Sequence, residues 1–240
     1  CAGMAAEGLK PVAAIYSTFL QRGFDQLIHD VCLQDLDVTF AMDRAGIAGP
    51  DGPTHHGLLD IAYLRGYPNI TLMAPKDEDE LRHMLLTAIE HPHPTALRYP
   101  RGAGVGAEMN GEPLMLEIGK AEILREGSEH VILALGSMVH PSLEAAEELE
   151  KQGIDAGVIN ARFIKPLDAE LILAIAQSAR VIYTVEEAYL AGGFGSAVIE
   201  LLEANSMQDS VRVVRMGIPD RIVTHGDANL LRAKFGLDSD

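Results

Sequence analysis

Short apolar runs alternate with helically spaced apolar positions along the first hundred residues. Pro11–Tyr16 is an apolar run of strand length, and in Phe19–Gln34 the residues Leu20, Phe24, Leu27, Ile28 and Val31 recur at helical spacing. Asp37–Met42 reads as a second strand, Ile70–Ala74 as a third and Thr95–Tyr99 as a fourth. Asp77 is placed to cap a helix running through Glu90, and the acids up to Glu80 suit the positive end of that helix. Gly102–Pro113 is Gly-rich and aperiodic, which puts a linker at about 104–116.

A second alternating stretch follows. Val131–Leu135, Ala156–Asn160, Val181–Val185 and Val211–Arg215 read as strands. Between and after them, Pro141–Gln152, the segment capped by Asp168, Phe194–Glu203 and Asn229–Phe235 read as helices. This order predicts an α/β protein with two parallel-sheet, three-layer α/β/α domains, one over residues 1–103 and one over 117–240.

Composition narrows the chemistry. Tryptophan is absent and aromatics are only 5%, so the cores must be built from aliphatic residues and methionine. The net charge of −16 repels nucleic acid and acidic membrane surfaces, and no apolar run approaches the ~20 residues of a membrane span. In so acidic a chain an anionic substrate needs a few arginines gathered locally. Two cysteines, Cys1 and Cys32, provide no disulfide framework or metal spacing and fit a reducing, cytoplasmic setting.

Ligands of open parallel sheets bind beyond the carboxyl ends of the strands. Tyr16, Phe19 and Arg22 follow the first predicted strand, and Arg101 follows the fourth. The loop after the second strand carries Asp43, Arg44, Asp51, His55 and His56 among the glycines at 46, 49, 52 and 57. Two arginines from separate loops can fork onto a phosphate, and a loop histidine can carry a proton near neutral pH. Asp51 could orient that imidazole or bind a hydroxyl. Phe19 can stack on a flat heteroaromatic ring, although a residue at such helical spacing is more often a core position. Arg22 also reads as a solvated helix charge, and Asp43 and Arg44 as turn residues. Gly192–Ser196 could cradle an anion at a helix start, but Glu186 and Glu187 just before it favour close packing instead. His225–Asp227 reads as a turn and a helix cap.

Five strings, in this order, resemble the 1-deoxy-D-xylulose-5-phosphate synthases over essentially the whole chain: YSTFLQRGFDQ, DRAGIAGPDGPTHHG, RYPRG, FIKPLD and VEEAYLAGGFGS. That family belongs to the transketolase-like enzymes dependent on thiamine diphosphate. The resemblance implies condensation of pyruvate with D-glyceraldehyde 3-phosphate, releasing CO2, at the start of non-mevalonate isoprenoid synthesis; the product also feeds thiamine and pyridoxal phosphate. It implies a pyrimidine-binding domain lacking its beginning at 1–103 and a transketolase C-terminal domain at 117–240. By the same resemblance Phe19 stacks on the cofactor's aminopyrimidine, with Tyr16 and Arg22 in the same pocket. Arg44 and Arg101, with Tyr16 nearby, hold the substrate phosphate. His55 and Asp51 meet the reacting groups, His55 being favoured over His56 as proton carrier.

The family's GDG…Asn metal motif is not in this sequence, and its activating glutamate would fall just before Cys1. The resemblance therefore places Mg2+, the diphosphate cradle and that acid on an N-terminal half, expected as a partner within a homodimer. Other transketolase-like halves, such as transketolase itself or a 2-oxo-acid dehydrogenase beta subunit, are alternatives. So is a non-catalytic α/β assembly module.

Overall fold

The computed structural model describes residues 1–239. Its strands are Val12–Tyr16 (β1), Thr39–Asp43 (β2), Thr71–Met73 (β3), Thr95–Arg98 (β4), Glu122–Arg125 (β5), His130–Ala134 (β6), Ala156–Asn160 (β7), Phe163–Lys165 (β8), Val181–Tyr189 (β9) and Arg212–Ile218 (β10). They build two five-stranded sheets flanked by helices, ordered β1-β2-β4-β3-β8 and β10-β9-β6-β7-β5. Four strands of each sheet run parallel. One edge strand of each is antiparallel, β8 against β3 and β5 against β7. The alternation of strand and helix thus produces the expected α/β architecture, with each sheet mixed at one edge.

The helical stretch after β1 is less regular than its apolar spacing suggests. It runs as Ser17–Leu20, a 3₁₀ turn at Gln21–Gly23, Phe24–Gln26 and a π-helical turn at Leu27–Cys32. Gly23 ends the 3₁₀ turn, and Phe24 begins the next short α-helical piece. Leu20, Leu27, Val31 and Cys32 are still buried beneath it.

The two sheets are not independent. β8 lies beyond the predicted linker in sequence yet closes the first sheet, pairing Leu72 with Lys165 and Met73 with Phe163. One apolar cluster runs from Leu20, Met42 and Leu72 through Leu133 and Ile182 to Phe194. Polar groups bridge the same seam. Buried Glu80 accepts from Arg162 Nε at 2.7 Å and from Asn160 Nδ2 at 2.9 Å, while Glu122 receives Lys76 at 3.1 Å and Arg162 at 2.9 Å.

Residues 104–116 form neither helix nor strand, but they are strapped to the helix Glu78–Glu90. The Glu78 carboxylate accepts the N–H groups of Val105, Gly106 and Ala107 at 3.1, 2.8 and 3.0 Å. One to three turns on, Arg82 donates to the Asn110 and Gly111 carbonyls, and His83 Nδ1 and Thr87 Oγ1 accept from Leu114 and Leu116 N–H. Asp77 caps the helix through the Glu80 N–H at 2.8 Å, as the sequence predicts.

Candidate active site

β1 and β2 end level with one another, Tyr16 opposite Asp43, with β4 next in the sheet. Their carboxyl ends bring most of the expected residues into one chain of contacts. The Tyr16 and Phe19 rings stack with centroids 5.1 Å apart, and the His55 ring meets Phe19 edge-on at 5.3 Å. Arg44, in the left-handed region at φ 58°, turns back so that its Cζ lies 3.8 Å from the Tyr16 ring centre. Such a conformation costs energy in a non-glycine residue and recurs at functional sites. Arg44 also pairs with Asp43.

Asp51 lies between the two arginines: its Oδ2 is 3.9 Å from Arg44 Nε and 3.7 Å from Arg101 Nε. Arg101 also donates to the Ala48 carbonyl at 3.3 Å. Buried Arg44 Nε has no hydrogen-bond partner. A buried N–H left over beside a second guanidinium is suited to an anion.

The two histidines differ sharply. His56 is buried, and both ring nitrogens are committed: Nδ1 accepts the Ala48 N–H at 2.9 Å and Nε2 donates to the Thr224 carbonyl at 3.1 Å. It is a brace. His55 is half-buried, bonds Thr54 Oγ1 through Nδ1 at 2.9 Å, and keeps its other nitrogen without a protein partner among the described residues.

Beside Phe19 opens a cavity of about 630 Å³, lined by Thr18, Phe19, Arg22, Thr54, Leu58 and Ile222 among others. Phe19 is 46% exposed, so its ring is not spent on the core. Arg22 borders this cavity, but among the described residues no hydrogen bond or ion pair ties it to the Arg44–Asp51–Arg101 group. Among the described residues no group of three or more His, Cys, Asp or Glu side chains is placed to hold a metal ion.

The loop itself is closed at its neck. Gly46 and Gly57 exchange backbone hydrogen bonds at 2.8 and 2.9 Å. Below the neck, Arg98 is 5% exposed, with Nε 2.9 Å from the buried Asp60 carboxylate, and it donates to the Gly57 and Glu187 carbonyls. Sequence reasoning missed Arg98 and Asp60 and gave Glu187 no role beyond close packing. The available signal was an arginine inside the apolar strand TALRY, since a buried charge requires a partner.

β9 continues past Val185 to Tyr189, carrying Glu186 and Glu187 into the interior. The Gly-rich string does start a helix, Phe194–Ala204, and its anion is the chain's own. Glu186 accepts the Phe194 and Gly195 N–H groups at 2.7 and 2.8 Å, leaving no room for a Cβ on Gly193. Burial pushes the Glu186 pKa up to about 7, against the pull of those two N–H groups.

The transketolase pyrimidine-binding domain model matches residues 1–105 and the transketolase C-terminal domain model matches 119–240. A solved split-gene transketolase, an inactive beta4 tetramer, superposes with a TM-score of 0.88 at 32% identity, over 99% of this chain and 75% of that one. The chain belongs to the transketolase family. Among transketolase-family enzymes it is 58% identical to 1-deoxy-D-xylulose-5-phosphate synthase 1 of Geobacter metallireducens over 238 residues, and 58% identical to the synthase of Thermomicrobium roseum over 240. These alignments cover 99% and 100% of the chain but 38% of each relative, so this transketolase-family chain spans little over a third of their length.

Proposed function

We propose that this chain supplies the acceptor side of a 1-deoxy-D-xylulose-5-phosphate synthase. The observation that carries the reading is the Arg44–Asp51–Arg101 group beside the Phe19–His55 pair, at the ends of adjacent strands. The identity of 58% to two named synthases, against 32% to a transketolase, favours this activity over ketose transfer.

In this reading residues 1–103 are a pyrimidine-binding domain, 104–116 a linker and 117–240 a transketolase C-terminal domain. Phe19, with its exposed ring beside a cavity of mixed polar and apolar lining, fits the aminopyrimidine of thiamine diphosphate; Tyr16 and Arg22 flank it. When bound, that cofactor would supply the carbanion chemistry that decarboxylates pyruvate and joins the remainder to the aldehyde. Magnesium and the cofactor's diphosphate belong in this scheme to the N-terminal half of the same enzyme, within a cytoplasmic homodimer.

Arg44 and Arg101 fork onto the phosphate of glyceraldehyde 3-phosphate, with Tyr16 under Arg44. His55 carries the proton to or from the reacting oxygen, and Asp51 orients the hydroxyl beside it. The test is steady-state kinetics of this chain assembled with its N-terminal half, using pyruvate and glyceraldehyde 3-phosphate. Arg101→Ala is expected to raise KM for the phosphorylated aldehyde about 10-fold or more, as the loss of a charged hydrogen bond implies. An unchanged KM removes Arg101 from this role. Turnover with ketose donors in place of pyruvate replaces the whole reading.

A further inference from the structure

The Asp43–Gly57 loop is held from outside the first sheet. Ile47 within it and Leu58 just after it are buried in the apolar cluster of the second unit with Val185, Ile218, Val223 and Leu231. Glu187, near the end of β9, sits at this junction and is 1% exposed. Its Oε1 accepts the Ile47 N–H at 2.7 Å and lies 3.2 Å from Arg232 Nε; its Oε2 accepts the Ser137 hydroxyl at 2.9 Å. The approach depends on Gly46, at φ +85°, where a Cβ would lie 2.7 Å from Glu187 Cδ.

A buried carboxylate is a costly way to fill space, and an apolar residue of similar volume would do that better. What the carboxylate adds is direction, because its two hydrogen-bond donors, the Ile47 N–H and the Ser137 hydroxyl, come from separate segments and its ion-pair partner Arg232 from a third. We propose that Glu187 is a positioning residue for the reaction, setting the acceptor loop from the C-terminal unit. It touches neither substrate nor cofactor. It acts through Ile47 on the next residue, Ala48, whose N–H is held by His56 and whose carbonyl receives Arg101. A displaced Ile47 therefore displaces Arg101, and with it the Asp51 that bridges the two arginines. This inference rests on the acceptor-site reading of the loop.

The test uses Glu187→Gln and Ser137→Ala in the assembled enzyme, with KM measured for each substrate and hydrogen exchange followed at the Ile47 and Ala48 amides. Glu187→Gln is expected to raise the aldehyde KM roughly 10- to 100-fold while the pyruvate KM stays within about twofold, as a misplaced substrate clamp would. Ser137→Ala should move the same KM in the same direction by a smaller factor, about threefold, because one hydrogen bond to the carboxylate is lost while the Ile47 N–H bond remains. Exchange at Ile47 and Ala48 should quicken in both. A purely structural role lowers Vmax with the folded fraction and leaves both KM values alone, which would overturn the proposal. If Glu187→Gln does not fold, Ser137→Ala decides by the same criteria. If the wild-type enzyme shows no aldehyde-dependent turnover, the acceptor-site reading fails. Unchanged amide exchange in the variants would then still reject Glu187 as the loop's anchor.

Discussion

Adjacent residues in one loop can be bonded in opposite ways, and His55 and His56 are. Both nitrogens of His56 are bonded within the protein, whereas His55 faces Phe19 with one nitrogen left over. Replacing each by alanine should therefore separate catalysis from stability. His55→Ala is expected to lower kcat by about 10²–10⁴-fold, the range for a positioned proton carrier, with little change in denaturant midpoint. His56→Ala leaves the Ala48 N–H and the Thr224 carbonyl without partners. It should cost about 1–3 kcal/mol in urea unfolding, the penalty of a buried group left unpaired. A reversed pattern would exchange the two assignments.

At the scale of elements, four acids in a row at residues 77–80 illustrate what a sequence can and cannot convey. Their placement at a helix start follows from charge and capping alone. Their separate partners do not: Asp77 caps, Glu78 holds the strap at 105–107, Asp79 pairs with Arg82, and Glu80 crosses to Arg162. The same division holds generally. Long, periodic segments such as Glu78–Glu90 and Val139–Lys151 announce themselves, because burial of one face imposes a period. β5 and β8 each carry only two adjacent apolar residues, Ile123–Leu124 and Phe163–Ile164, and their antiparallel pairing is decided by distant strands. The clustering of the candidate residues Tyr16, Phe19, Arg44, Asp51, His55 and Arg101 was legible because polar and aromatic residues crowd the strand ends. The buried supports were not, because Asp60, Arg98 and Glu187 look like ordinary charges until the fold surrounds them.

Glu186 gives the element scale its pH dependence. Its folded pKa of about 7 lies above the ordinary 4.5, so the folded chain binds this proton more tightly than the unfolded one. That contribution to stability is complete below about pH 4.5, declines as pH rises towards 7, and is gone above it. Urea unfolding between pH 5 and 8 should show the wild type losing stability relative to Glu186→Gln across this window. Parallel pH curves for the two proteins would remove Glu186 as the cause.

For the whole molecule, the shared apolar cluster and the Glu80–Arg162–Glu122 bridge join the two sheets, so they are expected to unfold as one cooperative unit. A protease cut within 104–116 is expected to leave both pieces associated in gel filtration, and urea unfolding followed by two probes should give one coincident transition. Separation of the pieces, or two resolved transitions, would show that the seam is weaker than its contacts imply. The crossing of β8 into the first sheet also constrains synthesis. As the nascent chain leaves the ribosome, β3 presents an unpaired edge until Phe163–Lys165 emerges far downstream. A translational pause before that point would lengthen the time for which this edge stands open to pairing with another chain.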